Sequence, residues 1–107
     1  MATTPLKDLA KTIRSKNAGV DKITFDVIFT DRRIYEAVRD GDDLTRKRIQ
    51  QLYKVTPERI TDFVAFDPAM AIKFTIRRDR SSGSPGDPDI FGAQQYAPLL
   101  DLPVRID

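Results

Sequence analysis

Three polar runs and one lysine stand out among the side chains here that are capable of chemistry. In the first run, Arg14-Ser15-Lys16-Asn17-Ala18-Gly19, two cations, a hydroxyl and an amide stand beside a glycine. That set can hold a carboxylate or phosphate through charge-assisted hydrogen bonds, and it can equally be a solvated turn. The second run starts with Arg77, Arg78 and Arg80 and continues through Ser81, Ser82, Gly83, Ser84, Pro85 and Gly86 to Asp87 and Asp89. Guanidinium forks and backbone N–H groups there can meet an anion, but the Gly-Lys-Ser/Thr ending of a P-loop is absent, and a surface loop explains the composition as well. The third run, Phe91-Gly92-Ala93-Gln94-Gln95-Tyr96, offers uncharged donors and acceptors at a predicted helix start, suited to orienting a substrate or to docking a protein. Lys73 falls within a predicted strand, on the face opposite Met70, Ile72, Phe74 and Ile76. Partly desolvated, it can act as a base or Schiff-base nucleophile; otherwise it points to solvent.

What is missing narrows the chemistry further. The chain has no histidine and no cysteine, so it lacks the usual general base near neutral pH, the thiolate nucleophile, and the imidazole and thiolate metal ligands. Asp87, Asp89 and Asp101 supply oxygen ligands of the kind magnesium or calcium takes, but their spacing matches no EF-hand loop. A turn around Pro88 accounts for the nearer two, so no metal is assigned and the cofactor is left open.

The 107 residues fit one small domain, residues 1–107. Eighteen basic and sixteen acidic groups give a net charge of +2 and are interspersed rather than separated, which argues against a nucleic-acid partner. No apolar stretch approaches the length needed to span a bilayer and the first residues do not read as a signal peptide, so no membrane partner and a cytoplasmic location are expected.

Those runs must be carried by recognisable elements. Leu6, Leu9, Ala10 and Ile13 are spaced for a helix, while Pro5 and the neighbouring threonines leave a bulged strand open. Low hydrophobicity makes residues 14–19 a loop. Ile23, Phe25, Val27 and Phe29 alternate with Thr24, Asp26, Ile28 and Thr30 as in a strand with one buried face. Asp31 caps a helix carrying Ile34, Tyr35 and Val38 that Gly41 ends, and Thr45 caps a second helix with Leu44 packing on Ile49. Thr56-Pro57 predicts a short helical turn, and the runs Ile60 to Phe66 and Met70 to Ile76 predict a hairpin through Asp67-Pro68. After a loop from Asp79 to Asp89 come a short helix within Ala93 to Leu100 and an edge strand from Leu102 to Ile106. The expected fold is an α+β ferredoxin-like sandwich, a mainly antiparallel sheet with helices on one face.

Several of these segments also carry a family resemblance: Arg14 to Gly19, Phe25-Asp26, Leu44-Thr45, Leu52-Tyr53-Lys54-Val55, Ala71-Ile72-Lys73, Ser82-Gly83-Ser84 with Gly86-Asp87, Phe91 to Gln95, and Pro98-Leu99-Leu100-Asp101. In this order, over nearly the whole chain, they resemble the bacterial and archaeal family catalogued as domain of unknown function 4387. That family is similar in turn to the ferredoxin-fold domain attached to acyclic terpene utilisation A (AtuA-like) proteins. The resemblance implies a small subunit whose large AtuA-like partner is a separate polypeptide, and a hydratase or lyase acting on a carboxylate or acyl thioester. It brings no established catalytic residue. Where the family pattern is expected to place histidine after the paired glutamines, this chain has Tyr96, which puts a catalytic imidazole there in doubt.

The functional expectation is therefore a subunit of a heteromeric enzyme that depends on its large partner. Arg14, Ser15, Lys16, Asn17, Ser82, Ser84, Gln94 and Gln95 would form an anion-binding edge, with Lys73 and Asp87 as candidate catalytic groups and Asp87 positioning water or a metal. The alternative is a structural or regulatory binding module whose polar loops only form an interface. A stand-alone enzyme relying on Lys73 or Asp87 is the remaining possibility.

Overall fold

The computed structural model describes residues 3–19, 21–78 and 96–106. Among them are six strands, β1 (Thr3–Pro5), β2 (Thr12–Asn17), β3 (Lys22–Ile28), β4 (Ile60–Phe66), β5 (Ala71–Arg77) and β6 (Pro103–Arg105). Helices α1 (Arg32–Asp40) and α2 (Arg46–Tyr53) lie between β3 and β4, and α3 (Ala97–Leu100) precedes β6. Short 3-10 turns occupy Leu6–Asp8, Pro57–Arg59 and Asp67–Ala69.

Local chemistry sets most of these boundaries. The Asp31 carboxylate accepts from the N–H groups of Arg33 and Ile34, at 2.9 and 3.3 Å, and so starts α1. Thr45 Oγ1 accepts from Arg48 N at 3.1 Å and starts α2, which ends on Lys54 in the left-handed region. The Thr56-Pro57 turn, the β4–β5 hairpin and the period-two alternation of β3 follow the sequence expectation.

Four antiparallel strands form the main sheet in the order β2-β3-β5-β4, and β1 pairs with β6 in a separate two-stranded ribbon. The α+β class and the antiparallel sheet hold. The two hairpins flank both long helices, an order different from the β-α-β-β-α-β of a ferredoxin-like sandwich. One sheet face carries Ile23, Phe25, Val27, Ile72, Phe74 and Ile76, which bury against Tyr35, Val38 and Ile49 from the helices and against Leu6, Leu99 and Val104. Phe25 stacks on Phe74 with ring centroids 4.6 Å apart, Phe63 lies 5.6 Å from Phe74 on its other side, and Tyr53 of α2 tilts onto Phe25.

Two expectations change and one open reading is settled. Residues 14–19 are not a loop: Arg14 to Asn17 continue β2, in register with β3 from Thr12↔Ile28 to Asn17↔Ile23. As an outer strand β2 needs only a few apolar residues, and backbone pairing to β3 supplies what its hydrophobicity does not. The turn shrinks to the residues around Gly19, whose φ of +91° is open to glycine at little cost. Leu6–Ile13, ambiguous in sequence, divides into the 3-10 turn and the start of β2. The last strand is shorter than expected and joins β1 instead of the main sheet. The predicted loop from Asp79 to Asp89 and the predicted helix start at Ala93 lie outside the described residues.

Candidate functional site

Strand alternation divides the first polar run between the two faces of the sheet. Arg14 and Lys16 project to the face away from the helices, while Ser15 and Asn17 share the inner face with Phe25 and Ile23, their register partners. They do not form a single cradle. Ser15, buried, accepts through Oγ from the Tyr96 N–H at 3.1 Å, and Asn17 Oδ1 accepts from Arg78 Nη1 at 3.1 Å. Arg78 N also donates to Asp21 O at 2.7 Å. The residues on either side of segment 79–95 are thereby tied to the hairpin end of β2.

On the outer face, register places Arg14, Asp26, Lys73 and Val64 in one row across β2, β3, β5 and β4. Asp26 is 5% exposed. Arg14 Nε donates to its Oδ2 at 3.0 Å, and Lys73 Nζ lies 3.8 Å from its Oδ1, within ion-pair range but too far for a hydrogen bond. Oδ1 consequently has no hydrogen-bond donor among the described residues. A buried acceptor left in this state calls for water or a ligand donor. The two cations remain 61% and 45% exposed at the side chain and so face outward as well as toward Asp26.

The adjacent row runs Lys16, Thr24, Thr75, Asp62, with the two threonine hydroxyls 3.3 Å apart. Arg14, Lys16 and Lys73 thus outnumber Asp26 and Asp62 on a patch that also offers two hydroxyls, an arrangement suited to a carboxylate or phosphate. Lys73 occupies the face expected of it, paired to a carboxylate and half-exposed.

Of the remaining candidates, Ser82, Ser84, Asp87, Gln94 and Gln95 lie outside the described residues, as does Asp89. Asp101 is a surface residue 3.4 Å from Lys7. Among the described residues no three carboxylates gather as a metal site. Two open grooves, of about 310 and 190 Å³, lie respectively beside α2 and β6 and beside the start of α1; neither is lined by Arg14, Asp26 or Lys73.

A separate polar cluster ties α1 to the β4–β5 turn. The buried Tyr35 donates its hydroxyl to Asp67 Oδ1 at 2.5 Å, and Arg39 reaches the same oxygen at 3.2 Å while lying over the Tyr35 ring. The Tyr35 hydrogen bond, then Arg39, hold the Asp67 carboxyl below its ordinary range. Burial, with Asp67 adding to it, pushes the Tyr35 phenol up. This cluster is a structural lock.

Asp26 is the principal residue that sequence reasoning passed over. The signal available was a carboxylate at an outward position of a strand, with a lysine at an outward position of another; only the pairing register shows that they meet. Val64 and Phe66, 50% and 51% exposed, sit in the run Ile60 to Phe66, whose pattern shows a strand but not which of its apolar residues stay uncovered.

A cationic sheet face next to exposed apolar groups belongs here to a small domain of α+β class. The chain belongs to the family described as Domain of unknown function (DUF4387), which matches residues 6–103. No curated protein and no solved structure matches it. No helix among the described residues is long and apolar enough to cross a membrane.

Proposed function

We propose that this chain is the small subunit of a heteromeric AtuA-like enzyme, a hydratase or lyase of a carboxylate or acyl thioester, and that its outer sheet face is an anion-binding edge of a shared site. The row Arg14–Asp26–Lys73 carries the reading: two cations share one buried carboxylate and keep charge available for a second anion. Arg14 uses Nε on Asp26, which leaves its terminal amino groups for bidentate contact, with Lys16 in the neighbouring row. The large chain would supply the groups that move protons. The ferredoxin-like likeness enters at the level of layers, an antiparallel sheet backed by helices. The reaction class and the AtuA-like partner come from the resemblance.

The second reading, a binding module with no part in chemistry, is favoured by the openness of the face: nothing among the described residues encloses a substrate there. Arg14→Ala combined with Lys16→Ala separates the two. With the AtuA-like chain present, loss of turnover of an unsaturated carboxylate with the complex intact supports the anion-binding edge. Loss of the complex supports the module, and retention of both turnover and assembly contradicts either role for these cations.

A further inference from the structure

The two edges of the main sheet are protected unequally. Outer strands present unpaired N–H and C=O groups, and proteins ordinarily guard them with lysine, proline, bulges or covering elements. On β2 the outward side chains include Arg14 and Lys16. Strand β4, Ile60-Thr61-Asp62-Phe63-Val64-Ala65-Phe66, contains no lysine, arginine or proline. Its protection is concentrated at one end: register shifts between Ile60 and Asp62, and Arg46 Nη1 donates to the Ile60 carbonyl at 2.5 Å. Beyond Asp62 the strand is neutral, Ala65 is exposed, and Val64 and Phe66 are half-exposed on the outer face.

We propose that β4 pairs with β4 of a second copy of this chain, antiparallel about an axis at Ala65, joining two four-stranded sheets into one. The segment is complementary to itself in that register. Each Val64 then stands opposite Phe66 of the second copy, an aromatic to β-branched pair made twice by symmetry. The ladder spans Val64 to Phe66, since β4 ends there and Asp67–Ala69 form the 3-10 turn, so Asp62 lies outside it. Centring the pair on Val64 would instead set Asp62 against Phe66. At the axis itself stands the small Ala65, which permits close approach. One strand edge buries less than the roughly 800 Å² per partner of a permanent complex, so the dimer is weak and depends on concentration. The pairing uses the edge of the sheet and does not rest on the anion-binding role of Arg14 and Lys73.

The test is sedimentation of the isolated chain over about a hundredfold range of concentration, together with disulfide trapping. The natural chain has no cysteine, so Ala65→Cys introduces a single thiol. Directly opposed residues of antiparallel strands have Cα atoms about 4.5–5.5 Å apart, within the range a disulfide spans. Reversible dimerisation is expected, weakened about tenfold or more by Val64→Lys. With glutathione disulfide, Ala65→Cys should cross-link much faster than Thr61→Cys, an exposed position on the same strand but away from the axis. A chain that stays monomeric throughout overturns the proposal. So does a dimer that Val64→Lys leaves unchanged, or one in which Thr61→Cys links as readily as Ala65→Cys.

Discussion

The two faces of the main sheet place opposite kinds of side chain on the same strands. Along one row the inner face carries Ser15, Phe25, Phe74 and Phe63; one residue away the outer face carries Arg14, Asp26, Lys73 and Val64. The inner row is closed, its rings stacked and covered by α2. The outer row is incomplete, with an acceptor lacking a donor, cations reaching past their counter-ion and a half-exposed valine. Folding accounts for the first row. The second has the composition of a surface that meets another molecule, because unpaired charge and exposed apolar area contribute little to stability until something covers them.

Substitutions that act on one row and spare the other sharpen this contrast. Phe74→Ala should have the largest effect, since it removes the ring between Phe25 and Phe63 and leaves a cavity: a loss of about 3–5 kcal/mol in denaturant unfolding. Asp26→Ala should cost less, about 1–3 kcal/mol, because Arg14 and Lys73 are exposed enough to be resolvated. An Asp26 effect equal to that of Phe74 would mean that the outer row is a folding element after all.

Acid should act through the lock at Asp67, alongside Asp40 and Glu58, whose carboxyls are also held below their ordinary range. The folded pKa of Asp67 lies below the unfolded value, so its contribution is complete above about pH 4 and is lost as pH falls through the folded value. Asp67→Asn should lower the thermal midpoint at neutral pH, and the gap from the natural chain should close in acid; a gap independent of pH would remove the Tyr35–Asp67–Arg39 cluster from the explanation. Smallest of all, Val64→Lys should change monomer stability by no more than about 0.5 kcal/mol, because the side chain is already half in water.

The sequence disclosed the inner face far better than the outer one. Ile23 to Phe29 and Met70 to Ile76 alternate, apart from Ile28 and Ala71, because a buried face imposes period two, and Asp31 and Thr45 mark helix starts through contacts a few residues long. Strand β2 was hidden because an outer strand with cations facing water has the composition of a loop. β1 and β6 are three residues each and find one another across almost the whole chain, which no local pattern records. The outer face of Lys73 was legible from alternation. Its meeting with Asp26 and Arg14 depended on two registers between strands distant in sequence, and the inward turn of Ser15 and Asn17 followed only once β2 was known to be a strand.

Lysine acetylation footprinting of the chain, alone and with the proposed AtuA-like large chain, tests most directly the proposal that the outer face is the functional surface. Lys16 and Lys73 lie on that face, whereas Lys7 and the exposed Lys47 of α2 lie elsewhere. Protection of Lys16 and Lys73 on complex formation, with Lys7 and Lys47 still reactive, is the outcome expected. Protection of Lys7 and Lys47 with Lys16 and Lys73 unchanged would contradict it.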